Sequence, residues 1–170
     1  MNRSIFALLA VLAAAPAAAA DATATAALKD AKGQSVGTAT FTEVGGVVKL
    51  KVSASGLTPG NHGIHVHEKG KCEGADFKSA GAHFNPHGKQ HGTDNEQGTH
   101  AGDMPNLEAG ADGKASLQTV LHGVTLERGA ANSLLDADGA AVVIHAKADD
   151  QKTDPSGNSG DRVACGVVAP

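Results

Sequence analysis

Thr38-Ala39-Thr40-Phe41-Thr42-Glu43-Val44-Gly45-Gly46-Val47-Val48-Lys49-Leu50-Lys51-Val52-Ser53 is the stretch on which the fold turns. Successive side chains of a strand point to opposite faces. Val48, Leu50 and Val52 therefore share one face, and Lys49 and Lys51 take the other. Thr38 to Val44 alternates in the same way. Gly45-Gly46 between the two runs is the two-residue spacer of a tight hairpin. Similar runs occur at Thr23 to Lys29, Gly63 to Glu68, Lys114 to Leu121, Ala140 to Ala146 and Arg162 to Ala169. Gly56-Leu57-Thr58-Pro59-Gly60 reads as another turn. Helical periodicity is scarce, and no internal repeat is visible. Short strands divided by Gly-rich turns predict an all-β antiparallel sandwich or barrel. Two stretches resist strand assignment, Lys69 to Asp103 and Ala148 to Asp161. Loops of that length in a compact domain are usually functional or disordered, and the several His of the first favour function.

Residues 1–20 are read as a secretory signal peptide. Arg3 gives the positive start, Ile5 to Ala15 is apolar, Pro16 breaks the run, and Ala18-Ala19-Ala20 offers a cleavage site before Asp21. The run is too short to span a bilayer, so no membrane anchor is expected. Residues 21–170 then form one exported domain. Loss of Arg3 takes the net charge from −4 to −5. That charge argues against a nucleic-acid partner, which needs a basic surface. The lack of Trp and Tyr argues against base stacking. Cys72 and Cys165 are too few for a Cys-based zinc finger or a disulfide-dense scaffold. In an oxidising compartment they are expected to pair. Closing a loop of about 94 residues contributes on the order of 4–5 kcal/mol in the loop-entropy account.

Nine His are the unusual feature of the composition, since imidazole is the commonest metal ligand. His65 and His67 sit two apart on a strand, so their rings share a face, roughly 6.5–7 Å apart along the chain. Ile64 and Val66 take the core side. His145 ends another apolar run. Such a set could hold copper or zinc, with geometry and ligand softness choosing between them. His83, His91, His100 and Asp103, in the first long loop, match the N/O ligands of a tetrahedral zinc, although His in Gly-rich loops can also be surface decoration. His62 and His122 are read as structural or surface residues, His87 as outside the ligand sets with adventitious metal binding as the lesser alternative, and Met104 as packing.

Six motifs in order carry a resemblance. They are Gly63-Ile64-His65-Val66-His67-Glu68, Gly81-Ala82-His83-Phe84-Asn85-Pro86, His91-Gly92, His100-Ala101-Gly102-Asp103, His145-Ala146-Lys147-Ala148-Asp149-Asp150 and Gly160-Asp161-Arg162-Val163-Ala164-Cys165-Gly166. Together they resemble the copper/zinc superoxide dismutases, in the bacterial periplasmic branch, across essentially all of residues 21–170.

The resemblance implies an eight-stranded Greek-key β-barrel, or flattened immunoglobulin-like sandwich, with two long functional loops. It implies copper on His65, His67, His83 and His145, and zinc on His83, His91, His100 and Asp103, with His83 as the bridge. It implies dismutation of superoxide by alternating reduction and oxidation of copper, with His83 releasing reduced copper and carrying a proton. Asp149 matches the family carboxylate that hydrogen-bonds a copper ligand and a zinc ligand. Arg162 matches the substrate-guiding arginine, and the disulfide Cys72–Cys165 would brace it. Lys78, Lys89, Lys147 and Lys152 are the nearby basic residues for steering an anion, since the local field at a cleft outweighs net charge. A metal buffer or copper chaperone on the same fold is the rival reading, and Arg162 argues against it. An adhesion-type sandwich module needs neither the ordered ligands nor Arg162. The lack of Trp and Tyr favours a monomer over the aromatic-lined homodimers of some relatives.

Overall fold

The computed structural model describes residues 21–170; the expected signal peptide lies outside the described residues. Nine strands form one antiparallel sheet: β1 Ala22–Asp30, β2 Ser35–Val44, β3 Val47–Ala54, β4 Gly60–His62, β5 Ile64–His67, β6 Leu107–Ala109, β7 Ala115–Leu121, β8 Ala141–His145 and β9 Arg162–Ala169. A short 3-10 turn, Lys78–Ala80, is the one helical element among the described residues. The hairpin forms as its sequence predicts. Phe41 faces Leu50 and Val44 faces Val47. Gly45 and Gly46 both take positive φ, 59° and 79°, which a two-residue turn of right-handed twist needs.

The strand order is β4-β6-β7-β3-β2-β1-β9-β8-β5. Its two ends are consecutive in sequence, and this closes the barrel. Gly60, Asn61 and His62 pair with β6, whereas Ile64 to His67 pair with β8. Gly63 lies between them, with its N–H on Lys147 O and its carbonyl accepting from His145 N, each at 2.8 Å. The eight expected strands therefore become nine, because one closing segment changes partner at Gly63. The connections from β3 to β4 and from β5 to β6 skip neighbours in the Greek-key manner.

Leu28, Phe41, Leu50, Ile64, Leu107, Leu134 and Ile144 fill the barrel and are fully or almost fully buried. Phe41 and Leu50 come from the hairpin; Ile64 and Ile144 face each other across β5 and β8. The outer face of β8 is buried as well. Ala141 and Val143 pack with Phe77, Ala80 and Cys165 of a second cluster, so the loop 68–106 covers this side of the barrel. The loop 146–161 lies beside it, with Asp94 N donating to Gln151 O at 2.9 Å. A third long connection, 122–140, was not foreseen. It is fastened by Glu43, whose carboxylate accepts from Thr125 Oγ1 at 2.8 Å and from Leu126 N at 2.7 Å. Strand β6 was also missed, as three residues show too little alternation to be read.

A Cβ on Gly63 would lie 2.8 Å from Ser159 Cβ and 3.3 Å from both Asp149 Cβ and His65 Cε1. Gly63→Ala is therefore expected to lower the unfolding free energy by about 1–3 kcal/mol, the usual cost of overpacking. Urea unfolding reads the change, and an unmoved midpoint would contradict this account of the closure.

Candidate metal centre

All four residues of β5 are buried. Ile64 and Val66 enter the core, so His65 and His67 project from the outer face of the barrel, under the loops. Register puts His65 opposite Val143 and His67 opposite Ala141. His145, at the end of β8, shares the face of those two residues. The first loop is stitched back onto β5: Val66 N donates to Gly102 O at 2.9 Å, Phe84 N to Val66 O at 2.8 Å and Glu68 N to Ala82 O at 2.9 Å. These bonds bring His83 and Asp103 alongside His67 and His65, as isolated bridges. Six imidazoles then gather. The His65 and His83 rings stack at 3.9 Å, and those of His91 and His100 lie 5.1 and 5.5 Å from the His83 ring.

The rings of His65, His67 and His145 are each oriented through one nitrogen and left open at the other. His65 Nε2 donates to Asp149 Oδ2 at 2.6 Å. His67 Nδ1 donates to Gly81 O at 2.9 Å, and His145 Nδ1 to Gly160 O at 3.2 Å. The opposite atoms, His65 Nδ1, His67 Nε2 and His145 Nε2, are buried without a partner, and so is His83 Nε2. These four residues offer ligand atoms within 4.8 Å of one another. Lone pairs that converge in a buried space, each fixed by a hydrogen bond on the far side of its ring, fit a metal ion.

The second group centres on Asp103 Oδ1. It lies 2.9 Å from His83 Nδ1 and 3.0 Å from His91 Nδ1. His100 Nδ1 is 3.3 Å away, without hydrogen-bond alignment. Tetrahedral zinc with bonds of about 2.0–2.1 Å has ligand–ligand edges of about 3.3 Å, and the three distances from Asp103 Oδ1 stand close to that spacing. The grouping that falls within 4.8 Å on this side takes His65 with His83, His91 and Asp103 and leaves out His100. It reflects the stacked rings, because His65 Nε2 is already committed to Asp149. Asp103 Oδ2 accepts from Gly92 N, Thr99 Oγ1 and His100 N, at 2.9, 3.0 and 3.0 Å, which fixes the carboxylate plane.

Asp149 links the two groups: while Oδ2 holds His65, Oδ1 accepts from His91 Nε2 at 3.0 Å. Asn106, missed by the sequence reading, holds the Asp149 backbone with two 2.8 Å bonds. His62, read as structural, is buried and joins His145 O to Thr58 O. His87 and His122 are exposed, and Met104 is buried.

Arg162 is half-buried. Nη1 donates to Phe77 O and Nη2 to Gly81 O, both at 2.7 Å. The Gly81 carbonyl also accepts from His67, so one oxygen ties the arginine to a ring of the first group. Cys72 and Cys165 form a disulfide, which fastens the start of the same loop to β9. Beside Arg162 opens a cleft of about 510 Å³, also lined by Asp76, Lys78, Gly160 and Asp161.

Residues 35–168 match the family described as copper/zinc superoxide dismutase (SODC). The chain belongs to that family. It is 45% identical over 142 residues to Superoxide dismutase (Cu-Zn) 2 of Aquifex aeolicus, covering 83% of each protein. It is 47% identical over 147 residues to Superoxide dismutase (Cu-Zn) of Caulobacter vibrioides, covering 85% of this chain and 84% of that one. The crystal structure of a double mutant of a SOD-like protein from Bacillus subtilis superposes with a TM-score of 0.81 at 44% identity, over 86% of this chain and 97% of that chain. The expected all-β barrel, dismutase activity and copper and zinc cofactors stand with the family.

The electrostatics follow from burial and the two carboxylates. Burial pushes His65 down to about 3 and His145 down to about 4. It also lowers His67 and His83. Burial opposes protonation of His91 too, but bonds to Asp103 and Asp149 at its two ring nitrogens raise it to about 9. Both carboxylates are themselves held below the usual range despite their burial, chiefly by these imidazole bonds.

In protein stripped of metal, the stabilisation tied to His91 is full below 6.5, the ordinary imidazole value, and is lost as pH rises through about 9. The rings lowered to about 3 and 4 act oppositely. They stay neutral while the unfolded chain takes up protons below 6.5, so stability falls as pH drops toward 4. Asp103 and Asp149 stabilise above 3.8 and add to the acid loss as pH falls below it. The urea midpoint of the chelator-treated protein is expected to peak near pH 6.5. A midpoint rising steadily from pH 6.5 to 9.5 would contradict the charged state of His91.

Proposed function

We propose that His65, His67, His83 and His145 hold copper, that His83, His91, His100 and Asp103 hold zinc, and that His83 bridges them during dismutation of superoxide to dioxygen and hydrogen peroxide. The observation that carries the assignment is the set of orphaned nitrogens. Four imidazole lone pairs converge on one side of His83, and a carboxylate with imidazole Nδ1 atoms on the other. An all-imidazole set suits copper, and an N/O tetrahedron suits zinc. When bound, copper supplies the one-electron couple that oxidises one superoxide and reduces the next.

The chain's residues supply the rest. His83 Nδ1 is committed to the zinc side, which leaves Nε2 as the atom that takes up a proton when it is not a ligand and hands it to the reduced substrate. Asp149 holds His65 and His91 in register, so the two sets keep their spacing through the reaction. Arg162 offers a fixed cation at the mouth. Its anchors on Phe77 and Gly81 support this role. Of the four lysines, Lys147 is the best steering residue. It lies two residues beyond His145 and packs across Gly160, whereas Lys78 is paired with Asp76 at 3.0 Å.

We also infer export. Residues 1–20 are a signal peptide, and the mature domain, 21–170, acts as a monomer in antioxidant defence of the periplasm. The disulfide supports an oxidising compartment. No helix among the described residues is long and apolar enough to cross a membrane. The large apolar side chains exposed among the described residues are four valines, Val44, Val47, Val120 and Val167, which suits a monomer. Edman sequencing of the periplasmic protein is expected to begin at Asp21, and an intact Met1 there would refute processing. Sedimentation at several concentrations tests the monomer.

Pulse radiolysis of protein reconstituted with both metals tests the activity. Catalytic decay is expected, whereas stoichiometric consumption without turnover would favour a metal buffer. Arg162→Ala is expected to lower the low-salt bimolecular rate constant by about tenfold and flatten its salt dependence, and Lys147→Gln to act in the same direction by less. An unchanged low-salt constant in Arg162→Ala would remove Arg162 from substrate guidance.

A further inference from the structure

Asp149 can hold rings of both groups only if its carboxylate keeps one orientation. Oδ1 has a second donor besides His91: the main-chain N–H of Gln151, at 2.6 Å. To aim that N–H, the backbone of Gln151 takes φ +60°, in the left-handed region. Gln has no intrinsic preference for this region, and only glycine visits it freely. The conformation must therefore be held from elsewhere.

Gln151 is held at three further atoms, all by the zinc-side loop. Its Nε2 donates to Met104 O at 3.1 Å. Its Oε1 accepts from Thr93 Oγ1 at 2.8 Å. Its carbonyl accepts from Asp94 N at 2.9 Å. Thr93 and Asp94 follow His91-Gly92, and Met104 follows Asp103, so the amide spans the two ends of the segment that carries His91, His100 and Asp103. Gly92 lets the Gln151 carbonyl approach so closely that a Cβ there would collide with it.

We propose that Gln151 is a positioning residue for the zinc side of the centre: its side chain clasps Thr93 and Met104, and its N–H thereby fixes Asp149 Oδ1 toward His91. The inference rests on the zinc assignment given above. It adds that zinc retention depends on a half-buried amide that touches no ligand ring. Asn106 holds only the Asp149 backbone; Gln151 supplies the one bond to the carboxylate that does not come from a ligand ring.

The test uses protein loaded with both metals, and protein with cobalt(II) replacing zinc. Zinc transfer to a chelator gives the release rate, and the visible cobalt bands report the ligand geometry. Gln151→Gly removes the clasp while relieving the backbone. It is expected to release zinc about tenfold faster, the lower end for loss of an outer partner, and to shift the cobalt bands. Gln151→Glu keeps the acceptor for Thr93 but loses the donor to Met104, and is expected to fall between. Thr93→Val removes one end of the clasp from an exposed position, and is expected to accelerate release by about threefold. It decides the matter should Gln151→Gly fail to fold. Release rates within about twofold of wild type in all soluble variants would overturn the proposal. Unchanged cobalt bands with only a lower unfolding midpoint would overturn it as well. Wild-type protein lacking the tetrahedral cobalt bands would overturn the zinc assignment and this inference together; normal wild-type bands with unaffected variants would overturn this inference alone.

Discussion

A single carboxylate, Asp149, holds imidazoles of both metal groups, and the geometry of the centre depends on it. Its Oδ2 fixes His65 and its Oδ1 fixes His91. Each ring must then turn its other nitrogen toward the space it shares with neighbouring rings. An imidazole has two nitrogens, so fixing one decides which lone pair is offered. The same rule operates at His67 and His145 through backbone carbonyls. His83 is the exception: both of its nitrogens face the centre, Nδ1 toward Asp103 and Nε2 toward the other group. A ring with no nitrogen to spare for an outer partner can bridge two ions, and must be held by them and by its neighbours.

The barrel supplies the rigidity that this needs. Only the closing segment, 60–67, contributes two rings from one strand, and its register against β8 is set by Ile64 and Val66 in the core. A slip of one residue would exchange the core pair for the histidines. The loops supply the remaining ligands and are fastened at several points. The disulfide holds the first loop to β9. Arg162 holds it again at Phe77 and Gly81. Arg162 is thus a strut for the four-imidazole group as well, since His67 bonds the same Gly81 carbonyl.

What could be read in the sequence was whatever has a period or a spacing. The hairpin around Gly45-Gly46 and the His65–His67 pair declare themselves through alternation, because a strand forces side chains two apart onto one face. The family motifs carried the order of the other ligands. Strand β6 was hidden because Leu107–Ala109 is too short to alternate, and it exists only because β4 and β7 flank it. Glu43, Asn106 and Gln151 were hidden for another reason. Each makes bonds to backbone atoms or side chains 43 or more residues away, and such bonds leave no local pattern. The four basic candidates could not be ranked in the sequence because ion pairing of Lys78 with Asp76 is a fact of side-chain geometry.

The buried ring nitrogens also join stability to metal content. An unsatisfied buried polar group costs about 1–3 kcal/mol, and five imidazole nitrogens in this site find no hydrogen-bond partner in the protein. Folding the chain around them is therefore opposed by several kcal/mol that metal ligation removes. The His91 side is better compensated by protein alone, because Asp103 neutralises a charged His91. The four-imidazole side has four converging lone pairs and no anion among the atoms it offers. The chain is thus built so that the His91 side can hold its shape with protons in place of metal, whereas the four-imidazole side relies on a bound ion and on the barrel beneath it.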